Sequence, residues 1–297
     1  MEALLKTLIS RYFLFSSVLF GASSFFLAQY YNFSLELAVT GSTVVTLIFA
    51  MYFESVIPYR KQWNQNQGDT KTDITSAIVL VGVADPLLKY LAPILVVWFY
   101  TNGLDSQSTG LFTHLGFGFQ LFAVILLAEF GRYWAHRAHH LFRHLWWLHA
   151  MHHSSKRLYA INNMRFNPLN YMINFAAGVL PVMLLGFSSE ALLAYMAITQ
   201  PVLMLQHANI DLKSGFLNHV FSTNEVHRWH HSTKADEANV NFGNAFVFWD
   251  QLFGTFKAPG FSVDQAVGLY STSTNYPSNQ GYFTQLRSMF MPSCCAA

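Results

Sequence analysis

Six stretches of mainly apolar residues constrain what this chain can fold into more than any other feature. A helix needs about 20 such residues to cross a bilayer, and only helices or closed barrels satisfy their backbone polar groups in lipid. Charged residues make up only 11% of the chain, against about 25% in soluble domains, which argues against a soluble globular enzyme. The sequence predicts an all-α integral membrane helical bundle of about six spans, at residues 12–28, 33–53, 74–100, 115–134, 169–187 and 191–205.

Two of these stretches leave alternatives open. The first follows a basic segment and could be a signal peptide, but its apolar run resumes at Phe25, which favours a retained helix. The third contains Asp85 and Pro86, and proline removes a helical N–H donor and crowds the preceding turn. Residues 74–100 are therefore expected to form one interrupted span, two short segments or a re-entrant hairpin.

The positions of the basic residues predict the orientation in the membrane. With a cytoplasmic N-terminus, only Lys89 and Arg132 of the 17 Lys and Arg residues fall within a proposed span, and the others lie on the cytoplasmic side. The net charge of +2 gives no indication of nucleic-acid binding. We expect an N-terminal transmembrane region (1–110), a histidine-rich region (111–257) and a loosely structured polar cytoplasmic tail (258–297).

Twelve of the 13 histidines lie within residues 136–153 and 207–231. Three clusters repeat a spacing of three or four residues, which places imidazoles on one face of a helix. The clusters are His136 and His140; His149, His152 and His153; and His227, His230 and His231. One ion rarely takes eight protein ligands, so the spacing predicts two metal ions with open coordination positions.

The predicted topology brings the three clusters to the same side of the membrane. Two spans separate the second cluster from the third, and an even number of crossings returns the chain to its starting face. His207 closes the sixth apolar stretch at the same level, so it is predicted as a ninth ligand. The remaining histidines, which we interpret as surface or ordinary polar residues, are His114, His139, His144 and His219.

Three sequence blocks resemble the fatty acid hydroxylase superfamily, which includes sterol desaturases, sphingolipid hydroxylases and alkylglycerol monooxygenase. The blocks are EFGRYWAHRAHH at 129–140, LWWLHAMHHSS at 145–155, and HRWHHS at 227–232, followed by NFG at 241–243 and WDQLFGT at 249–255. The resemblance runs from about residue 75 to residue 257. It implies that 111–257 is the catalytic region and that the nine predicted histidines hold two iron ions in a cytosolic helical cap.

The same resemblance implies the chemistry and the partners. Members use O₂ as co-substrate to hydroxylate or desaturate a C–H bond of a lipid, such as a sterol or a fatty acyl chain. No dinucleotide-binding loop or fused cytochrome b5 domain is visible, so electrons are expected from cytochrome b5, a ferredoxin or a flavoprotein reductase. The membrane would be the inner membrane in a bacterium or the endoplasmic reticulum in a eukaryote. The substrate, the carbon attacked and the choice between the two reactions stay open.

Ligating histidines usually donate their outer ring N–H to an acceptor. Among the acidic residues near the three clusters, Glu225 and Asp250 are the candidates for this role, because each lies in a block that carries the resemblance.

Three other functions compete with the oxygenase. A divalent-metal transporter would need ionisable residues near the membrane midplane, and the spans offer only Glu36, Asp85 and Lys89. A zinc hydrolase would need a glutamate next to its first histidine ligand, as in H-E-x-x-H, which the histidine clusters lack. A non-catalytic scaffold that has kept the metal site is distinguished only by an activity measurement.

Overall fold

The protein is α-helical, as the sequence predicts. A computed structural model describes residues 2–102, 112, 114–270, 273 and 275–290. Within these ranges no strand forms, and extended backbone pairs only at three isolated bridges. Thirteen α-helices were assigned there, of which the first four are α1 Glu2–Tyr30, α2 Leu35–Val56, α3 Thr70–Val79 and α4 Asp85–Asn102.

The remaining helices carry most of the histidines. They are α5 Phe117–Leu141, α6 Arg143–His153, α7 Pro168–Gly178, α8 Leu180–Leu184, α9 Ser189–Gln206, α10 Asn224–His230, α11 Ala235–Ala238, α12 Phe248–Leu252 and α13 Tyr282–Ser288. Short 3₁₀ turns at Lys61–Asn64, Ala160–Met164 and Gly215–His219 complete the described elements. The three histidine clusters therefore lie on helices α5, α6 and α10, except for His231, which caps the end of α10.

Three helical segments are long and apolar enough to cross a membrane, among the residues that the structure describes. They are Ala3–Tyr30, Leu35–Val56 and Thr70–Asn102. Their outer faces carry large exposed apolar side chains such as Phe15, Ile48 and Trp98, as expected for helices that contact lipid. The predicted count of six spans is not confirmed, because α5 ends in charged and histidine residues, α7 and α8 are short, and α9 has only 18 residues.

The third apolar stretch forms one continuous helical segment, so the predicted alternatives of separate pieces and a re-entrant hairpin are wrong. A π-helical turn at Leu80–Ala84 joins α3 to α4 immediately before Pro86. A π turn widens the helix locally, and Pro86 then occupies the first turn of α4, where its missing N–H is tolerated. The chain thereby passes the proline without ending the helix.

Two groups of packed helices position the histidine-rich part. Helices α1, α2 and α9 pack against one another, and α5 packs against α6, α7 and α9. Helices α5 and α7 approach closely at Gly131. A Cβ added there would lie only 1.9 Å from the carbonyl oxygen of Ala177, so only glycine fits at this position. This close packing holds α5, just before His136, against the C-terminal end of α7.

The described part of the tail packs onto the helical cap, in contrast to the loose structure expected. Tyr270, Tyr276 and Tyr282 are buried in a cluster with Trp146 and Met151. These aromatic residues are spaced within an otherwise polar sequence, so average polarity concealed their contribution to the core.

Replacing Gly131 with alanine is expected to destabilise the protein by about 1–3 kcal/mol, because the new methyl group forces α5 away from α7. Gly118→Ala is the matched control, since it lies in the same helix and an added Cβ there meets nothing within 4 Å. Thermal unfolding in detergent, followed by tryptophan fluorescence, measures the difference. Equal unfolding temperatures for the two variants would contradict the close contact.

Candidate metal centre

The nine predicted ligands lie together where α5, α6 and α10 meet the end of α9. They form two groups of ring nitrogens, and within each group one nitrogen from every ring lies within 4.8 Å of the others. Group one, as we call it, contains His136, His140, His149, His153 and His230; group two contains His152, His207, His227 and His231. Eight of the nine side chains are buried, and His136 is partly exposed.

The two groups lie side by side. His152 and His153 are adjacent on α6 but belong to different groups, as are His230 and His231 at the end of α10. The rings of His153 and His231, one from each group, have centroids only 4.4 Å apart. Adjacent histidines in the sequence thus contribute to two neighbouring groups, each of which could hold a metal ion.

Several inward-facing ring nitrogens are in direct contact. In group one, His136 Nε2 lies 3.0 Å from His149 Nε2, and His153 Nε2 lies 3.2 Å from His230 Nε2. In group two, His227 Nε2 lies 3.2 Å from His207 Nε2 and 3.1 Å from His231 Nε2.

Hydrogen bonds at Nδ1 fix the position of the ring proton in four histidines of group one. His136 Nδ1 donates to the Phe242 carbonyl at 2.9 Å, and His230 Nδ1 donates to the Val240 carbonyl at 3.0 Å. The other two hydrogen bonds run from His149 Nδ1 to Asn170 Oδ1 and from His140 Nδ1 to the Tyr270 hydroxyl. A neutral imidazole carries one proton, so each of these rings presents a bare lone pair at Nε2.

One ring of group two is fixed in the same way. His207 Nδ1 donates to Asn162 Oδ1 at 2.9 Å. The Asn162 amide cannot be reversed, because its oxygen also accepts from the Tyr159 N–H and its nitrogen donates to the Arg157 carbonyl.

These residues provide a suitable donor set for metal ions. Burial lowers the pKa of His136 to about 4 and that of His149 and His230 well below the usual range, so the rings stay neutral. His140 Nε2 is buried without a hydrogen-bond partner in the described chain. Lone pairs that face one another at about 3 Å repel unless a cation lies between them, and imidazole nitrogen suits iron, zinc, copper and nickel.

Of the four histidines set aside by sequence, the structure changes the interpretation of one. His139 is fully buried rather than on the helix surface, and its Nδ1 donates to the Ala135 carbonyl. It belongs to neither group, although its ring centroid lies 5.5 Å from that of His149. His144 is exposed and packs beside Trp147.

The structure places neither predicted carboxylate at a ring nitrogen. Glu225 accepts from the Ser214 N–H and the Asn218 amide. Asp250 accepts from the N–H groups of Phe242 and Gly243, both at 2.7 Å. Asp250 therefore acts one step away, by holding the loop whose Phe242 carbonyl accepts from His136.

The acceptors that do contact the rings are neutral oxygens, and the sequence analysis missed them. They are the backbone carbonyls of Phe242 and Val240 and the side chains of Asn162, Asn170 and Tyr270. Asn162 and Asn170 flank the segment 163–169 after the second histidine cluster, so their polar side chains could have been recognised as candidates from the sequence. The backbone carbonyls leave no pattern in the sequence. Tyr270 lies in the C-terminal tail, 130 residues from its partner His140.

Asp250→Asn is expected to lower the metal content of the purified protein several-fold, because outer contacts of this kind typically change metal affinity by about 10- to 100-fold. Glu225→Gln is the matched control, since its contacts do not reach a histidine ring. Elemental mass spectrometry of both variants measures the metal per chain. Full metal loading of Asp250→Asn would show that the Phe242 loop holds its position without the carboxylate.

Comparisons with known proteins agree with this geometry. The sequence model of the fatty acid hydroxylase family matches residues 121–255, which include all nine predicted ligands. Ornithine lipid hydroxylase OlsE of Rhizobium tropici is 32% identical over 226 residues, covering 75% of this chain and 68% of that protein. No solved structure matches the chain.

A second relative matches over a shorter range. Alkylglycerol monooxygenase of Caenorhabditis elegans is 31% identical over 78 residues, which is 26% of this chain and 15% of that protein. The long match to the hydroxylase covers more than two thirds of both proteins, and the family model spans the whole metal centre. The chain therefore belongs to the fatty acid hydroxylase family.

Proposed function

We propose that this protein is an O₂-dependent di-iron enzyme that hydroxylates a C–H bond of a membrane lipid. The observation that carries the proposal is the pair of adjacent imidazole groups, with five ligands in one and four in the other. Its relatives are a lipid hydroxylase and a monooxygenase by name, which favours hydroxylation over desaturation.

The electron balance requires an external donor. Hydroxylation consumes one C–H bond, one O₂, two electrons and two protons, and it yields an alcohol and one water. Bound iron would supply the reductive activation of O₂ that such a C–H bond needs. We propose cytochrome b5, a ferredoxin or a flavoprotein reductase as the donor, docking on the cytoplasmic side where positive-inside bias puts the histidine cap.

The protein's own residues hold the metal ions and shield the reaction from water. Eight of the nine imidazoles are buried, and the neutral acceptors around them fix ring orientation without adding negative charge. The choice between hydroxylation and desaturation depends on where the substrate carbon would lie relative to the metal, at a scale of about 1 Å.

A competing desaturase or hydrolase gives a different lipid product from the same experiment, and a transporter gives none. Cells that express the protein are grown under ¹⁸O₂, and their lipids are analysed by mass spectrometry. We expect a lipid that carries one ¹⁸O atom in a new hydroxyl group. A lipid that loses two hydrogens without ¹⁸O indicates desaturation, and cleaved lipid without ¹⁸O indicates hydrolysis.

His140→Ala is expected to abolish the ¹⁸O-labelled lipid, because it removes a buried ligand nitrogen from group one. His144→Gln is the control, since this histidine is exposed and lies outside both groups. The amount of labelled lipid, normalised to the amount of membrane-inserted protein, is the measurement. Undiminished labelling by His140→Ala would contradict the assignment of group one to catalysis.

A further inference from the structure

The segment that follows the second histidine cluster contacts two ligands of group two. Its turn Ala160–Met164 carries Asn162, whose oxygen accepts from His207 Nδ1. Phe166, two residues after the turn, stacks its ring on that of His152, with centroids 4.4 Å apart and 15° between the ring planes. The orientation of both ligands therefore depends on where this segment lies.

A single carboxylate on α3 holds both ends of the turn. Asp73 accepts from the Tyr159 hydroxyl through Oδ2 at 2.6 Å, and its Oδ1 lies 3.0 Å from Arg165 Nη1. Tyr159 comes immediately before the turn, and Arg165 comes immediately after it. The side chains of Asp73 and Arg165 are 0% and 1% exposed. The turn is therefore fixed to α3 from both sides, inside the protein.

Ser76, nearly one helical turn after Asp73, holds the backbone that leads to the stacked ring. Its hydroxyl donates to the Met164 carbonyl and accepts from the Phe166 N–H, both at 2.9 Å. Burial lowers the pKa of His152 well below its usual range, whereas the nearby backbone carbonyl of Arg165 acts in the opposite direction. The backbone that Ser76 holds therefore lies beside a ligand of group two.

The rings of group one take their acceptors from other parts of the chain. These acceptors lie in the loop 240–242, on α7 and in the tail, and they are the carbonyls of Phe242 and Val240 and the side chains of Asn170 and Tyr270. The contacts of α3 with the turn thus bear on group two.

Stability alone does not explain a buried ion pair at this place. Taking two charges out of water costs free energy that their attraction only partly returns, and an apolar pair of similar volume is often as stable. The pair of Asp73 and Arg165 supplies geometry, because it ties the end of the turn to one helix. Ligating rings lose metal affinity when the outer contacts that orient them are removed.

We propose that Asp73 and Ser76 are positioning residues for group two, through which the apolar helical segment Thr70–Asn102 holds one of the two metal sites. They act through the segment 159–166, which carries the groups that contact His152 and His207. This inference rests on the dinuclear centre of the proposed function and deepens it, because it makes one site depend on α3 and the other not.

The metal content of the detergent-purified full chain tests the proposal. Asp73→Asn keeps the shape of the side chain but removes its charge. We expect it to lower the metal content from about two ions per chain to about one, since outer contacts of this kind typically change metal affinity by about 10- to 100-fold. Ser76→Ala is expected to lower the occupancy of the same site. Thr75→Ala is the matched control, because its hydroxyl donates to the Lys71 carbonyl within α3.

Combination with a ligand substitution identifies the site that is lost. Asp73→Asn together with His149→Ala of group one is expected to remove nearly all metal. Asp73→Asn together with His227→Ala of group two is expected to hold as much metal as His227→Ala alone. A general loss of structure lowers the metal content in both combinations alike, and that result overturns the proposal.

Ser76→Ala replaces Asp73→Asn in both combinations if the latter does not fold, since it removes one hydroxyl and leaves the ion pair in place. Full metal loading of the α3 variants that fold also overturns the proposal. Elemental mass spectrometry, normalised to the amount of folded protein, is the measurement throughout.

The inference and the proposed function fail in different ways. Wild-type protein with two iron ions, both kept in the α3 variants, loses only the inference. Two ions of another metal in the wild type contradict the di-iron enzyme, and selective loss of one of them in Asp73→Asn still supports the inference. Well-folded wild-type protein without any metal overturns both.

Discussion

The convergence of buried imidazole lone pairs is the interaction on which the rest of the structure depends. Four rings of group one donate outward from Nδ1, so their Nε2 lone pairs face inward within a small buried volume. Burial keeps these rings neutral at physiological pH. Such an arrangement is unfavourable by itself and becomes favourable around a cation, so a bound metal ion would contribute to the stability of the fold.

Close helix packing and uncharged hydrogen-bond acceptors hold the imidazole rings in this arrangement. Contact between Gly131 and Ala177 brings α5 against α7, and Asn170 near the start of α7 accepts from His149 on α6. Asp250 does not contact a histidine ring. Its carboxylate accepts from the Phe242 N–H, and the Phe242 carbonyl in turn accepts from His136. Acceptors without charge orient the imidazoles, so the described side chains that contact the rings add no negative charge to the site.

Much of the metal centre could be predicted from the sequence, because helical spacing determines which histidines share a face. His136 and His140 illustrate this, since their separation of four residues alone placed them together. The division into groups could not be predicted, because neighbours such as His152 and His153 turn to different sides of α6. Contacts across the chain, such as that of Tyr270 with His140, leave no local pattern.

The membrane topology was less predictable than the site. Pro86 would normally end a helix, but a π turn precedes it and the third apolar stretch continues as one helical segment, which also passes Pro93. Helices α5 and α9 are apolar enough to suggest spans, yet α5 carries the site residues His136 and His140 near its C-terminal end and His207 follows α9 directly. Hydropathy alone does not separate a lipid-facing helix from one that is buried within the protein.

The most direct test of the dinuclear centre is the iron content per chain of detergent-purified protein, measured for the wild type and one variant of each group. We expect about two iron ions in the wild type, and fewer in both His149→Ala and His227→Ala. One iron ion in the wild type, lost in one variant and kept in the other, would contradict a paired site. A well-folded wild-type protein that takes up no iron would contradict the metal centre altogether.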